Sequence, residues 1–134
     1  MSEDNVKLVL GYLRLAEGGD VDVEGIAALM HPGITATAVP GWPEPGPFVG
    51  RDAALAEVKR LTDWGEIRYT DIDVLADEGD WVVVAFRWHI RAAGSGIATH
   101  LDVAVAVRVK EGRVIEWHNR WSRDEALEAA GLSE

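Results

Sequence analysis

Cysteine is absent from the 134 residues, which removes disulfides and thiol catalysis and leaves the compartment open on that ground. Basic residues are scarce: 13 Lys and Arg stand against 23 Asp and Glu, for a net charge of −10. No cluster of Lys and Arg offsets that balance, so a nucleic acid or an anionic membrane is repelled and neither is an expected partner. Long apolar runs are missing too. The opening stretch, MSEDNVKLVLGYLRLAEGGD, carries acids ahead of its apolar residues and charges among them. It is neither a signal peptide nor a membrane span, and a cytoplasmic location is the default. No glycine-rich loop precedes a helix, the histidines lack ligand-like spacing, and no Ser–His–Asp order stands out. A metal site and a bound cofactor are therefore not expected.

What is present is concentrated in residues 81–121. The runs 81–91, 97–109 and 114–121 are rich in the Val, Ile, Phe and Trp that suit a pleated surface. Ala92-Ala93-Gly94-Ser95-Gly96 and Lys110-Glu111-Gly112-Arg113 turn the chain between them. Short connections make such neighbours antiparallel, so the stretch reads as a meander. Alternation sorts the side chains into faces. In the first run Val83, Ala85, Arg87, His89 and Arg91 share one face, and Val82, Val84, Phe86, Trp88 and Ile90 share the other. In the second, Leu101, Val103, Val105, Val107 and Val109 oppose His100, Asp102, Ala104 and Ala106. In the third, Ile115, Trp117, Asn119 and Trp121 oppose Glu116, His118 and Arg120. The row from Val82 to Ile90 has no evident cover within the chain. It predicts a convex apolar face buried in a homodimer.

The remainder supplies helices. Residues 3–17 carry one broad apolar arc that includes Tyr12, with Ser2 as a cap and Gly18-Gly19 as the stop. A shorter helix spans 23–31 behind Asp22, with His31 near its end and Pro32-Gly33 closing it. A short strand follows at 34–39. Four of the five prolines crowd into PGWPEPGPFVG, residues 40–50, a loop that carries Trp42 and Phe48. The third helix covers 51–62 with Ala54, Leu55, Val58 and Leu61 inward, and 66–76 reads as a strand. Ser122-Arg-Asp-Glu125 is a capping box that opens a last short helix ending at Gly131. Helices followed by antiparallel strands mean α+β, one domain over 1–134, in which a strongly curved sheet wraps three helices and leaves a cavity.

At the level of motif the chain resembles the SnoaL-like branch of the nuclear transport factor 2-like superfamily. The resemblance rests on Gly19-Asp20, on Ile26-x-x-Leu29-Met30-His31-Pro32, on Phe48-Val49-Gly50-Arg51-Asp52-Ala53, on Glu111-Gly112-Arg113-Val114-Ile115, and on the C-terminal Asp124-Glu125-Ala126-Leu127-x-x-Ala130-Gly131-Leu132. It implies a cone-shaped α+β barrel, commonly dimeric, with a deep pocket. The superfamily includes ketosteroid isomerase, polyketide cyclases, limonene epoxide hydrolase and proteins without catalysis. Tyr12 falls where ketosteroid isomerase keeps its oxyanion-hole tyrosine, and Asp102 near its hydrogen-bond-donating aspartate. That enzyme's general base falls near Ala38, which cannot take a proton. Arg87-Trp88-His89 stands where limonene epoxide hydrolase has Arg-x-Asp, and Asn119 replaces its second Asp.

Two functions remain from different classes. One is a cofactor-free isomerase, cyclase or hydrolase using proton transfer on a small apolar carbonyl, polyketide or terpenoid-like molecule. The other is a non-catalytic module binding such a molecule. For catalysis the expected set is His89, Arg87, Tyr12, Asn119 and Asp102. His89 accepts a proton, or is a hydrogen-bonded histidine of the core or an exposed one near the strand end. Arg87 and Tyr12 steady a negative oxygen. Asp102 is either a buried acid or the partner of a base at a dimer interface. Trp121, Trp117, Trp42, Phe48, Leu101 and Val103 are the expected substrate contacts. By parity, Tyr12, Arg87, His89, Asn119 and Trp121 should converge on one cavity.

Overall fold

A computed structural model describes residues 2–18 and 21–132; Gly19, Asp20 and the Ser2 side chain, which carry a proposed stop, motif and cap, lie outside the described residues. The order is α1 (Ser2–Leu15), α2 (Val23–Leu29), β1 (Met30–Thr37), β2 (Phe48–Val49), α3 (Arg51–Trp64), β3 (Gly65–Glu78), β4 (Trp81–Ala92), β5 (Ala98–Lys110), β6 (Arg113–Arg120) and α4 (Arg123–Ala129). The strands form one curved, unclosed sheet in the order β2-β1-β6-β5-β4-β3. The fold is the expected α+β cone.

The meander β3-β4-β5-β6 is antiparallel, with Phe86 opposite Val103 and Arg87 opposite Asp102. β1 runs parallel to β6, so the sheet is mixed and not wholly antiparallel. A parallel neighbour needs a long crossover, and everything from α3 to β5 lies between the two. The second helix stops at Leu29, earlier than its sequence pattern suggests, because the buried Met30 already belongs to β1. His31 accordingly sits in a strand, where its Nδ1 accepts from the Gly33 amide at 3.0 Å. The pairing slips between Met30 and Thr35, an irregularity that accommodates Pro32.

Helices α1, α2 and α3 cover one face, and α4 alone lies on the other. Val9, Leu13, Ile26, Met30 and Ile34 pack with Val82, Val84, Val105, Val107 and Val114, all essentially without solvent contact. The apolar row from Val82 through Trp88 is thus the inner face, beneath the chain's own helices. That corrects the expectation of a convex dimer face, and the row gives no ground for a second copy. The physical reason is size. The wide apolar arc of α1 and the stripe of α3 need large side chains to pack against. The opposite face offers Val83, Ala85, Ala104 and Ala106, small enough to seat the short α4 through Ala126 and Ala130. Ser122 Oγ accepts from the Glu125 amide at 3.1 Å to cap α4.

Candidate functional site

Between α1, α3, the inner face of the sheet and the loop after β1 lies a cavity of about 140 Å³. An apolar cavity of about 150 Å³ holds benzene, so this one has room for a single six-membered ring. Its walls are largely aromatic. Tyr12 stacks on Trp117 with centroids 4.6 Å apart, and Tyr69 meets Phe86 edge-on at 5.0 Å. Trp42, from the proline-rich loop, lies 5.4 Å from Trp64 and 6.0 Å from Trp88, and with Phe48 it closes one side. Leu101 and Val103 complete the sheet wall.

Four polar side chains interrupt this lining usefully. Tyr12 is placed by the inward arc Val9, Tyr12, Leu13, Ala16 of α1. Burial pushes its hydroxyl well above the ordinary tyrosine range, with the neighbouring Tyr69 adding to it. Tyr69 is raised likewise, by burial first and then by Glu17. Both are therefore neutral donors at physiological pH. Asn119 donates its amide N–H to the Thr37 carbonyl at 2.9 Å, which orients the amide and leaves its oxygen as an acceptor. Glu57 is the one charged residue in the lining, and its side chain is 12% exposed. Arg60 Nε donates to Glu57 Oε1 at 2.8 Å, while Arg60 NH2 lies 2.6 Å from the same oxygen in ion-pair contact without hydrogen-bond alignment. Both contacts fall on Oε1.

The residues expected to converge do so only in part. Tyr12, Asn119, Trp117, Trp42, Phe48, Leu101 and Val103 line the cavity. Arg87, His89 and Asp102 do not, because alternation puts them on the outer face once Phe86 and Trp88 face inward. Arg87 and Asp102 are direct cross-strand partners, joined at 2.9 and 3.4 Å and largely in solvent. Hydrogen bonding to Arg87 holds the Asp102 carboxyl below its usual range, so the acid is paired within its own chain. His89 Nε2 meets Thr70 Oγ1 at 2.6 Å and its ring lies 5.9 Å from that of His100. His118 is held between Thr37 Oγ1 at 3.0 Å and Glu116 Oε1 at 2.9 Å, pinning β6 to β1 from outside. Trp121 also lies outside the cavity, 41% exposed, with its indole N–H donating to the Pro40 carbonyl at 2.8 Å. β6 ends at Arg120, so the alternation that placed Trp121 with Trp117 has lapsed by then.

Two site residues escaped the sequence reading, and each had a signal. Glu57 lies three residues after Ala54 and four before Leu61, on the same stripe of α3. Tyr69 shares its strand face with Ile67, which is buried. Among the described residues no group of three or more His, Asp or Glu is placed to hold a metal ion, and no helix is long and apolar enough to cross a membrane.

Residues 9–117 match the family model described as the SnoaL-like domain. A comparison with curated proteins returns no match. Among solved structures the chain is similar to a candidate polyketide cyclase from Xanthomonas campestris pv. campestris, at 22% identity and a TM-score of 0.74, over 92% of this chain and 93% of that one. It is similar to a nuclear transport factor 2-like protein of unknown function from Burkholderia pseudomallei K96243, at 20% identity and a TM-score of 0.74, over 93% and 95% of the two chains. It is also similar to TerC, crystallised with polyporic acid, at 20% identity and a TM-score of 0.73, over 93% and 98%. At such identities the likeness is one of fold.

Proposed function

We propose, from the premise that this chain belongs to the SnoaL-like domain family, that its cavity binds a small, mostly apolar carbonyl compound of about one ring and catalyses proton transfer on it without a cofactor. The observation that carries this is the meeting of two neutral tyrosine hydroxyls and one carboxylate on a single apolar cavity. A ring fills the aromatic walls and its oxygen accepts from Tyr12 or Tyr69. Glu57 Oε2 takes a proton from the carbon next to the carbonyl. The electron pair of that C–H bond moves into the adjacent C–C bond and the carbonyl π pair onto oxygen, where the tyrosines stabilise it. Glu57 then returns the proton to another carbon of the same molecule, so atoms and charge balance and no co-reactant is consumed. Glu57 thus takes the part that the sequence pattern suggested for His89. The coarse expectation of a small-molecule pocket has the support of family and fold.

Cyclohex-3-en-1-one is a suitable probe, since its single ring matches the cavity. Conversion to the conjugated enone is followed by absorbance, and binding by tryptophan fluorescence. Glu57→Gln should lower the conversion rate by about 10² to 10⁴, the usual contribution of a positioned acid–base group, and leave binding within about threefold. Binding without conversion by the unaltered protein would leave a non-catalytic pocket and reject the catalytic reading.

A further inference from the structure

We infer that Arg60 is a positioning residue that ties the proline-rich loop to the orientation of Glu57, an inference that rests on the proton-transfer reading above. Arg60 does not line the cavity. Its guanidinium is a bridge: Nε and NH2 hold Glu57 Oε1 at 2.8 and 2.6 Å, and NH1 reaches Glu44 Oε2 at 3.4 Å. Glu44 belongs to the loop between β1 and β2, the segment that also brings Trp42 to the cavity wall. That loop is closed on itself by two hydrogen bonds and tied to the end of the sheet by a third. The Ala38 amide donates to the Pro45 carbonyl at 2.9 Å, the Trp42 amide to the Val39 carbonyl at 3.1 Å, and Trp121 to the Pro40 carbonyl at 2.8 Å.

The physical consequence follows from the number of free torsions. An unrestrained glutamate spreads over many rotamers, and holding one of them costs side-chain entropy. One hydrogen bond and one ion-pair contact on the same oxygen locate Oε1, and neither falls on Oε2. Arg60 is long and flexible itself, and its far end is steadied by Glu44 of the loop. The Glu44 contact is solvent-facing, with that side chain 64% exposed, so on its own it is weak. The Glu57 contact is sheltered and dominates. The loop thereby supports, through Arg60, the group that reacts with a ligand.

The test separates positioning from structure by splitting the kinetic constants on cyclohex-3-en-1-one. Arg60→Met should lower kcat about a hundredfold, the scale of a misplaced reacting group, with KM changed less than twofold. Arg60→Lys, which keeps the charge and one donor, should restore part of the loss. Glu44→Gln should lower kcat only a few-fold. A folded Arg60→Met protein whose kcat equals or exceeds that of the unaltered protein would overturn the inference, as would a loss confined to KM. Absence of conversion by the unaltered protein is a different failure: it removes Glu57 as a base, and the role of Arg60 falls with it.

Discussion

The two faces of β4 and β5 are built from the same strands in strict alternation, yet they do different things. The inner face presents Val82, Val84, Phe86 and Trp88 with Leu101, Val103, Val105 and Val107, and it carries the core and the cavity. The outer face begins with Val83, Ala85, Ala104 and Ala106 under α4 and ends with Arg87, His89, His100 and Asp102 in polar pairs. Chemistry-bearing residue types are denser on the outer face, but the aromatic-lined cavity is on the inner one. Arg87 and Asp102 neutralise one another across the outer strands, whereas two hydroxyls and a carboxylate share the inner cavity. A small-molecule site needs apolar walls around its few polar groups, and only the inner face supplies those walls.

The sharpest way to break this contrast is to alter adjacent residues on opposite faces. Phe86→Ala should cost about 3–5 kcal/mol in urea unfolding, the usual loss for a truncated core aromatic. Arg87→Ala, one residue on, should leave the unfolding midpoint within error, because its pair with Asp102 is solvent-screened. Comparable losses at both positions would deny the difference between the faces.

Next in size is the effect on reaction. Tyr12→Phe should lower kcat on the enone probe by about 10² to 10³, the range for losing one donor to a developing oxyanion. His89→Gln should leave both kcat and KM unchanged. Loss of conversion in the His89 variant would return the site to the outer face.

A smaller effect is expected where α4 sits. Ala106 is fully buried against Ala126 and its neighbours, so Ala106→Leu should cost about 1–3 kcal/mol by overpacking, with KM unaltered. A rise in KM would show that the outer layer reaches the cavity.

The smallest effect is on pH dependence. Tyr12 and Tyr69 have folded values raised by burial above the unfolded tyrosine value of about 10. Their contribution is therefore fully present below pH ~10 and is lost as pH climbs toward the folded values, since the unfolded chain releases the protons first. Tyrosinate absorbance from this pair should appear only together with unfolding. Its appearance in the folded protein would mean that the hydroxyls meet water freely.

Much of this was legible in the sequence. The meander, its turns, the Ser122 cap and the inward arc with Tyr12 follow from local pattern, and Asn119, Trp117, Trp42, Phe48, Leu101 and Val103 do line the cavity. Parity puts Arg87 and His89 on one strand face, as the structure does, but that face is the outer one and not the pocket side; the facing of Asp102 is settled only by its pairing with Arg87. Alternation divides a strand into two sets without saying which set the helices cover. Glu57 was hidden by its residue type: a glutamate inside an apolar stripe reads as a solvated position until the space beside it is seen.

What the sequence by itself determined is whatever depends on neighbours along the chain. The period of the strands, the helix starts and the turn at Lys110–Arg113, where Glu111 and Gly112 both take positive φ, belong to that class. So does the charge of −10. Tertiary structure alone decided which face became the inside, that β1 lies parallel to β6, and that Glu44, Arg60 and Glu57 form one chain of contacts from loop to cavity. The reason is that these outcomes depend on how helices far along the chain fill volume against the sheet. Burial is a property of the whole packed assembly, and no local spacing carries it.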